Sequence, residues 1–142
     1  MGLLGVMCSK NLEKKIEEYF LGKKEVIAVY IFGSYAQNAE RHLSDVDIGI
    51  LMDRMDQDII IKERSIYMIE LSRILKKDVH PVILNSAGEA LLKQVFKKGK
   101  CVLVNNAKEL SWKKMVMFSE IADYAYYQGK MQSGLIRRVM RG

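Results

Sequence analysis

Hydrophobic and polar positions change their period several times along the chain, and each change marks an element. Leu12, Ile16, Tyr19 and Phe20 recur at i, i+4, i+7 and i+8, the spacing of one helix face. Ser9 can cap this predicted helix and Gly22 can end it. From Val26 to Phe32 the chain is apolar without a break and rich in β-branched and aromatic residues, which predicts a strand buried on both faces. A polar stretch from Tyr35 to Ser44 separates it from a second predicted strand, Asp45 to Met52. A long helix follows over about residues 56–77, with Ile60, Tyr67, Leu71 and Ile74 on its inner face. Val79 to Leu84 reads as a third strand. Ser86 and Glu89 have capping-box spacing for a helix to about Lys97, Gly99 ends it, and Cys101 to Val104 is a short fourth strand. Asn106 can cap a last helix with Glu109 at its third position, Trp112, Met115, Val116 and Ser119 lying along one side.

Strands and helices alternate, so the fold class is α/β or α+β: a mixed central sheet of about four strands flanked by helices. A length of 142 residues suits one domain over residues 1–142. Its core spans about 25–104, and a terminal helix and basic tail occupy about 106–142. The apolar run at Val26–Phe32 is too short to cross a bilayer. Met1 to Met7 is apolar but lacks a basic leader and a small-residue cleavage site, so no signal peptide is expected. The two cysteines, Cys8 and Cys101, form no CxxC pair, which argues against zinc or redox chemistry and fits reduced thiols in the cytoplasm. The net charge of +6 favours a polyanionic partner without choosing among nucleotide, nucleic acid and acidic protein.

Two local features carry candidate chemistry. The strand Val26–Phe32 runs straight into Gly33-Ser34, where a glycine lets backbone approach a phosphate and the serine hydroxyl adds a donor. Asp45 and Asp47 sit two apart at the start of the next strand and therefore share a face. Side by side their charges repel, and burying them unpaired is costly. A divalent cation such as Mg²⁺, which takes oxygen ligands from one or two carboxylates plus phosphate, would remove both costs. Equally, either acid could cap backbone N–H groups or pair with Arg41 or a lysine.

Together, Gly33-Ser34, ten residues, then Asp45-Val46-Asp47 resembles the signature of the DNA polymerase β superfamily of nucleotidyltransferases. Ser44 to Leu51 also resembles its small bacterial and archaeal members, and the short length with Val82-Ile83-Leu84-Asn85-Ser86-Ala87 resembles its minimal, MNT-type branch. The resemblance implies in-line attack of a hydroxyl on the α-phosphate of an NTP, with pyrophosphate leaving. Asp45 and Asp47 would ligate Mg²⁺ or Mn²⁺, and Gly33 and Ser34 would hold the β- and γ-phosphates of ATP. Minimal members of this kind act as antitoxins that adenylylate a tyrosine of a helical HEPN-domain RNase, so a HEPN-type protein is the expected partner. The chain has little room for a separate nucleic-acid-binding domain, which disfavours nucleic acid as the direct substrate. A homo-oligomer stays open, as does a non-catalytic antitoxin acting by direct contact.

One position departs from the resemblance. The family carries a third carboxylate on the following strand, where this chain has Asp78-Val79-His80-Pro81-Val82. His80 could act as base or metal ligand. Asp78 could substitute from about 6.6 Å further along the strand. Or the site could bind nucleotide and metal but transfer poorly. Pro81 lacks a ladder N–H, which predicts an edge or irregular strand. Elsewhere the plain readings prevail: Arg41 and His42 as loop residues, Lys93, Lys97, Lys98 and Lys100 as a solvated run, Tyr124, Tyr126 and Tyr127 as packing or interface residues, and the methionines as core filler.

Overall fold

A computed structural model describes residues 2–33, 45–53 and 56–122, with residues 2–10 described by backbone alone. Ser34, Arg41, His42, the three late tyrosines and the arginines of the tail lie outside the described residues. Met1–Leu110 form one compact unit and Ser111–Gly142 a second; the sheet and the candidate site belong to the first.

The elements run α1 (Gly2–Phe20), β1 (Val26–Phe32), β2 (Val46–Met52), α2 (Gln57–Leu75), β3 (Val79–Ile83), a 3₁₀ turn (Leu84–Ser86), α3 (Glu89–Lys98) and β4 (Lys100–Val104). A further helix, α4, covers 107–122 among the described residues. The four strands make one mixed sheet in the order β3-β2-β1-β4. β1 is antiparallel to both β2 and β4, whereas β3 is parallel to β2. A parallel neighbour needs a crossover, and α2 supplies it.

Side chains alternate across this sheet. One face, with Val29, Ile31, Val46, Ile48, Ile50 and Val79, shares a core with Leu12, Ile16 and Phe20 of α1 and Tyr67, Leu71 and Leu75 of α2. On the opposite face the Tyr30 ring packs edge-on to Phe96 of α3 at 5.3 Å. Leu84 fills the space a side chain at Gly49 would take. β1 is therefore covered on both sides, and all seven of its residues are buried. Burying a large apolar side chain contributes about 1.5–3 kcal/mol; among the described side chains of α1, Leu12, Ile16 and Phe20 supply this.

The ends of the elements differ from the sequence pattern in three places. α1 already begins at Gly2, which puts Ser9 inside the helix rather than at its cap. In α2 the buried residue of the last turn is Leu75, while Ile74 is 41% exposed; 67, 71 and 75 keep strict i+4 spacing and turn 74 outward. Ser86 closes a 3₁₀ turn, with the Ala87 N–H donating to Leu84 O. The cap of α3 consequently falls to Gly88, whose carbonyl accepts from the Leu92 N–H. The other signals hold. Gly22 takes the left-handed conformation after α1, at φ +80°, and Asn106 caps α4 by accepting from the Glu109 N–H at 3.1 Å.

Two asparagines that no periodicity marks hold the strand ends. The Asn105 amide donates to the carbonyls of Phe20, Lys23 and Val26, tying the α1–β1 turn to the end of β4. Asn85 accepts from the Met52 N–H at 2.8 Å and donates to the Met52 carbonyl at 2.7 Å, closing the end of β2. Lys93 and Lys100 of the basic run pair with Glu89 and Glu13.

Phe20 is fully buried, so Phe20→Ala is expected to cost about 3–5 kcal/mol. Ile74→Ala should cost less than about 1 kcal/mol. Urea unfolding of the two variants checks this assignment of inside and outside.

Candidate functional site

The polar groups of the sheet gather where β1 ends and β2 begins. In the antiparallel pairing Phe32 lies opposite Asp47, so the chain leaving β1 at Gly33 passes beside the Asp47 carboxylate. Gly33 has φ +75°, a conformation side-chain-bearing residues avoid. A carbon built at its Cβ position would stand 2.6 Å from Asp47 Oδ2. The backbone turn thus calls for glycine, and any side chain here would also displace the Asp47 carboxylate.

On the other side of β2 the parallel register aligns Asp47 with His80 of β3. His80 Nε2 lies 3.0 Å from Asp45 Oδ2 and donates to it, both side chains being about half exposed. Asp45 precedes the first ladder residue of β2, where the Val46 N–H donates to the Asp78 carbonyl at 2.9 Å. Asp78 lies one step before Val79, the partner of Val46. The side chain level with Asp47 is therefore that of His80, not Asp78.

β3 is an edge strand, which accommodates Pro81 without an unmet ladder bond, as the sequence predicts. The Pro81 carbonyl is taken up by Arg64 of α2, whose Nε donates at 2.8 Å. Arg64 thereby steadies the strand beside His80. Nothing local in the sequence signals this contact, because its two residues meet only after α2 has crossed over.

The electrostatics are asymmetric. Asp47 is the single half-buried residue in an otherwise fully buried β2. Burial pushes its carboxyl pKa above the ordinary value; the nearby His80 partly offsets this and the Asp45 charge adds to it. An acid made uncomfortable by desolvation and a like charge is stabilised when a cation sits between the two carboxylates. The donor set, two carboxylates and an imidazole on adjoining backbone, could hold a divalent ion. Among the described residues no three His, Cys, Asp or Glu side chains close on a common point. Oxygens of a bound phosphate or of water would have to complete the shell, as in open phosphoryl-transfer sites. The structure thus gathers Gly33, Asp45, Asp47 and His80. Ser34 is the predicted site residue outside the described residues.

The family profile described as "Polymerase beta, Nucleotidyltransferase" matches residues 14–108. A search of curated proteins gave no significant match. Among solved structures, the chain is similar to a toxin–antitoxin complex with AMP-PNP, at 28% identity and TM-score 0.64 over 90% of this chain and 98% of the other. It is similar to a MntA–HpeT complex carrying two Asp-to-Glu substitutions, at 27% identity and TM-score 0.63 over 90% and 98%. A tri-AMPylated HEPN toxin with its MNT antitoxin from Shewanella oneidensis gives 26% identity and TM-score 0.60 over 93% and 98%.

Two outcomes follow from the geometry. Gly33→Ala forces a left-handed alanine against a carboxylate and should destabilise the fold by about 1–3 kcal/mol, read by chemical unfolding. Asp47 has a raised folded pKa, so its ionisation weakens the fold. The associated stability is full below the ordinary carboxylate range and is lost as pH rises through the raised value. Asp47→Asn is accordingly expected to raise the melting temperature by a few degrees near neutral pH. That gain should fade as pH falls below about 4, which thermal melts across pH measure.

Proposed function

The chain belongs to the polymerase β family of nucleotidyltransferases, and on that premise we propose that it moves AMP from ATP to a hydroxyl on a HEPN-type partner, a tyrosine, and so acts as an antitoxin. The observation that carries this reading is the convergence of Gly33, Asp45, Asp47 and His80 at one end of the sheet. Structural neighbours bound to AMP-PNP, or holding a tri-AMPylated HEPN toxin, support ATP as donor and the toxin as acceptor.

In the proposed reaction the acceptor oxygen attacks the α-phosphorus of ATP. A new O–P bond forms, the bond from the α-phosphorus to the bridging oxygen breaks, and pyrophosphate departs with that electron pair. Gly33, with Ser34 after it, would cradle the β- and γ-phosphates, its missing side chain leaving the backbone open to a close approach. Asp45 and Asp47 would hold Mg²⁺ or Mn²⁺. Bound there, the ion supplies neutralisation of the charge that builds on the phosphate oxygens. His80, whose imidazole stands beside the two carboxylates, is the group that would take up the hydroxyl proton. Packing beneath Asp47 and the Gly33 turn hold these groups before substrate arrives, which is how such a site gains rate by positioning.

His80 in place of a third carboxylate supports a second reading, in which the site binds nucleotide but transfers poorly and the protein neutralises its partner by contact. Incubation with α-labelled ATP, Mg²⁺ or Mn²⁺ and the purified HEPN-type partner separates the two. Transfer by the native chain is expected, with a loss of about 10³-fold in the Asp45→Asn/Asp47→Asn variant, the scale of several kcal/mol of charge stabilisation. Neutralisation should be lost with it. Full neutralisation by the double variant would establish the contact reading.

A further inference from the structure

Helix α2 buries one side and leaves the opposite side open. Tyr67, Leu71 and Leu75 face the core, whereas Ile61, Met68 and Ile69 are 61%, 40% and 57% exposed. Ile61, Ser65, Met68 and Ser72 follow one another at i, i+4, i+7 and i+11, the repeat by which one helix seats on another. The serines between the larger side chains leave gaps that a partner's side chains can enter.

Charges on this helix are sorted by side. Glu70 turns toward α1, where it accepts from the Tyr19 hydroxyl, and Glu63 lies near Tyr19 and Tyr67. Lys62, Arg64, Arg73 and Lys76 are exposed around the apolar row. Among the described residues none of these four pairs with a carboxylate. Beyond Asp58 in the first turn, no acidic residue of α2 falls on that half of the helix.

This sorting selects the occupant. A second copy packed face to face would set lysine and arginine against their own kind, and like charges across an interface are unfavourable. Nucleic acid would take the charges but gain nothing from the isoleucines and the methionine. Helices that lie on membranes carry Trp, Phe or Leu on the apolar face, and none of these is exposed on α2. A protein helix with an apolar row and acidic flanks satisfies both the apolar and the charged groups.

Position ties this face to the candidate site. Ser72 Oγ accepts from the Val79 N–H at 3.3 Å, and Arg64 donates to the Pro81 carbonyl. α2 thus runs along β3, the strand that carries the half-exposed His80. The same two bonds, with Pro81 lacking an N–H, occupy outward groups of the edge strand, so a partner seats on the helix rather than adding a strand. Resting on the reading of a HEPN-type protein as acceptor, we propose that the outer face of α2 is its docking surface. The partner seats there through an apolar helix row flanked by acidic residues, which brings its hydroxyl to the neighbouring cluster.

The full-length protein and the purified HEPN-type partner test this by calorimetry and by transfer of label from α-labelled ATP. Ile69→Glu and Lys62→Glu/Arg73→Glu, each checked for native melting, are expected to weaken the complex at least about tenfold. The native Kd should rise with salt, and more steeply than that of the double charge variant. KM for the partner should rise in both variants while kcat at saturation is kept, since neither touches the cluster. Affinity is read without turnover, so weak transfer leaves the test intact. If the native chain binds the partner and both variants bind it equally well, this inference is overturned and the proposed function stands. Binding of anionic vesicles or RNA that these variants abolish, with partner affinity unchanged, overturns it likewise. If the native chain neither binds nor labels the partner, the proposed function fails and this inference with it.

Discussion

The half-burial of a carboxylate at the mouth of β2, with a second carboxylate close by, is the constraint around which this end of the molecule is arranged. Asp47 stands in a strand whose other residues are all buried, so its charge is held where water cannot fully relieve it. Gly33 makes room for that carboxylate and no other residue type could do so without moving it. His80 sits against Asp45 from the adjoining strand. Functional sites give up stability in this way, and the rest of the fold compensates.

The compensation is the rigidity of the sheet beneath. β1 is sandwiched between the α1–α2 core and the side chains of α3, so Phe32 and Gly33 arrive beside Asp47 from a strand with little freedom. Asn85 and Asn105 close strand ends at the far end of the sheet, and Arg64 secures the edge strand. Loops can then vary while the carboxylate and glycine positions stay in register.

Much of this was legible in the sequence where the information is local. The seven apolar residues of β1, the Gly33 stop and the i, i+2 pair Asp45 and Asp47 each lie within a few residues, and alternation alone assigns the acids to one face. Pro81 likewise announced an edge strand. What escaped was set by contacts distant in sequence. His80 was reached only through the family resemblance, because its alignment with Asp47 depends on the parallel register across α2. Arg64 reaches Pro81 only after that crossover, and Asn85 and Asn105 gain partners only when the sheet closes. Local competition explains the remaining differences. Ser86 was claimed by a 3₁₀ turn before it could cap α3, and the strict i+4 row through Tyr67 and Leu71 selected Leu75 over Ile74. Ser9 could not reveal that helical structure begins at Gly2.

Similarity to complexes of antitoxin and toxin gives the site a context, but its chemistry turns on whether nucleotide and cation meet at these side chains. The most direct measurement is a crystal structure with Mn²⁺ and an ATP analogue that cannot be cleaved at the α-phosphate, the metal located by its anomalous scattering. Manganese between the carboxylates of Asp45 and Asp47, with the triphosphate running past Gly33, is the expected result. A nucleotide bound elsewhere on the chain, with no anomalous peak at those carboxylates, would contradict it.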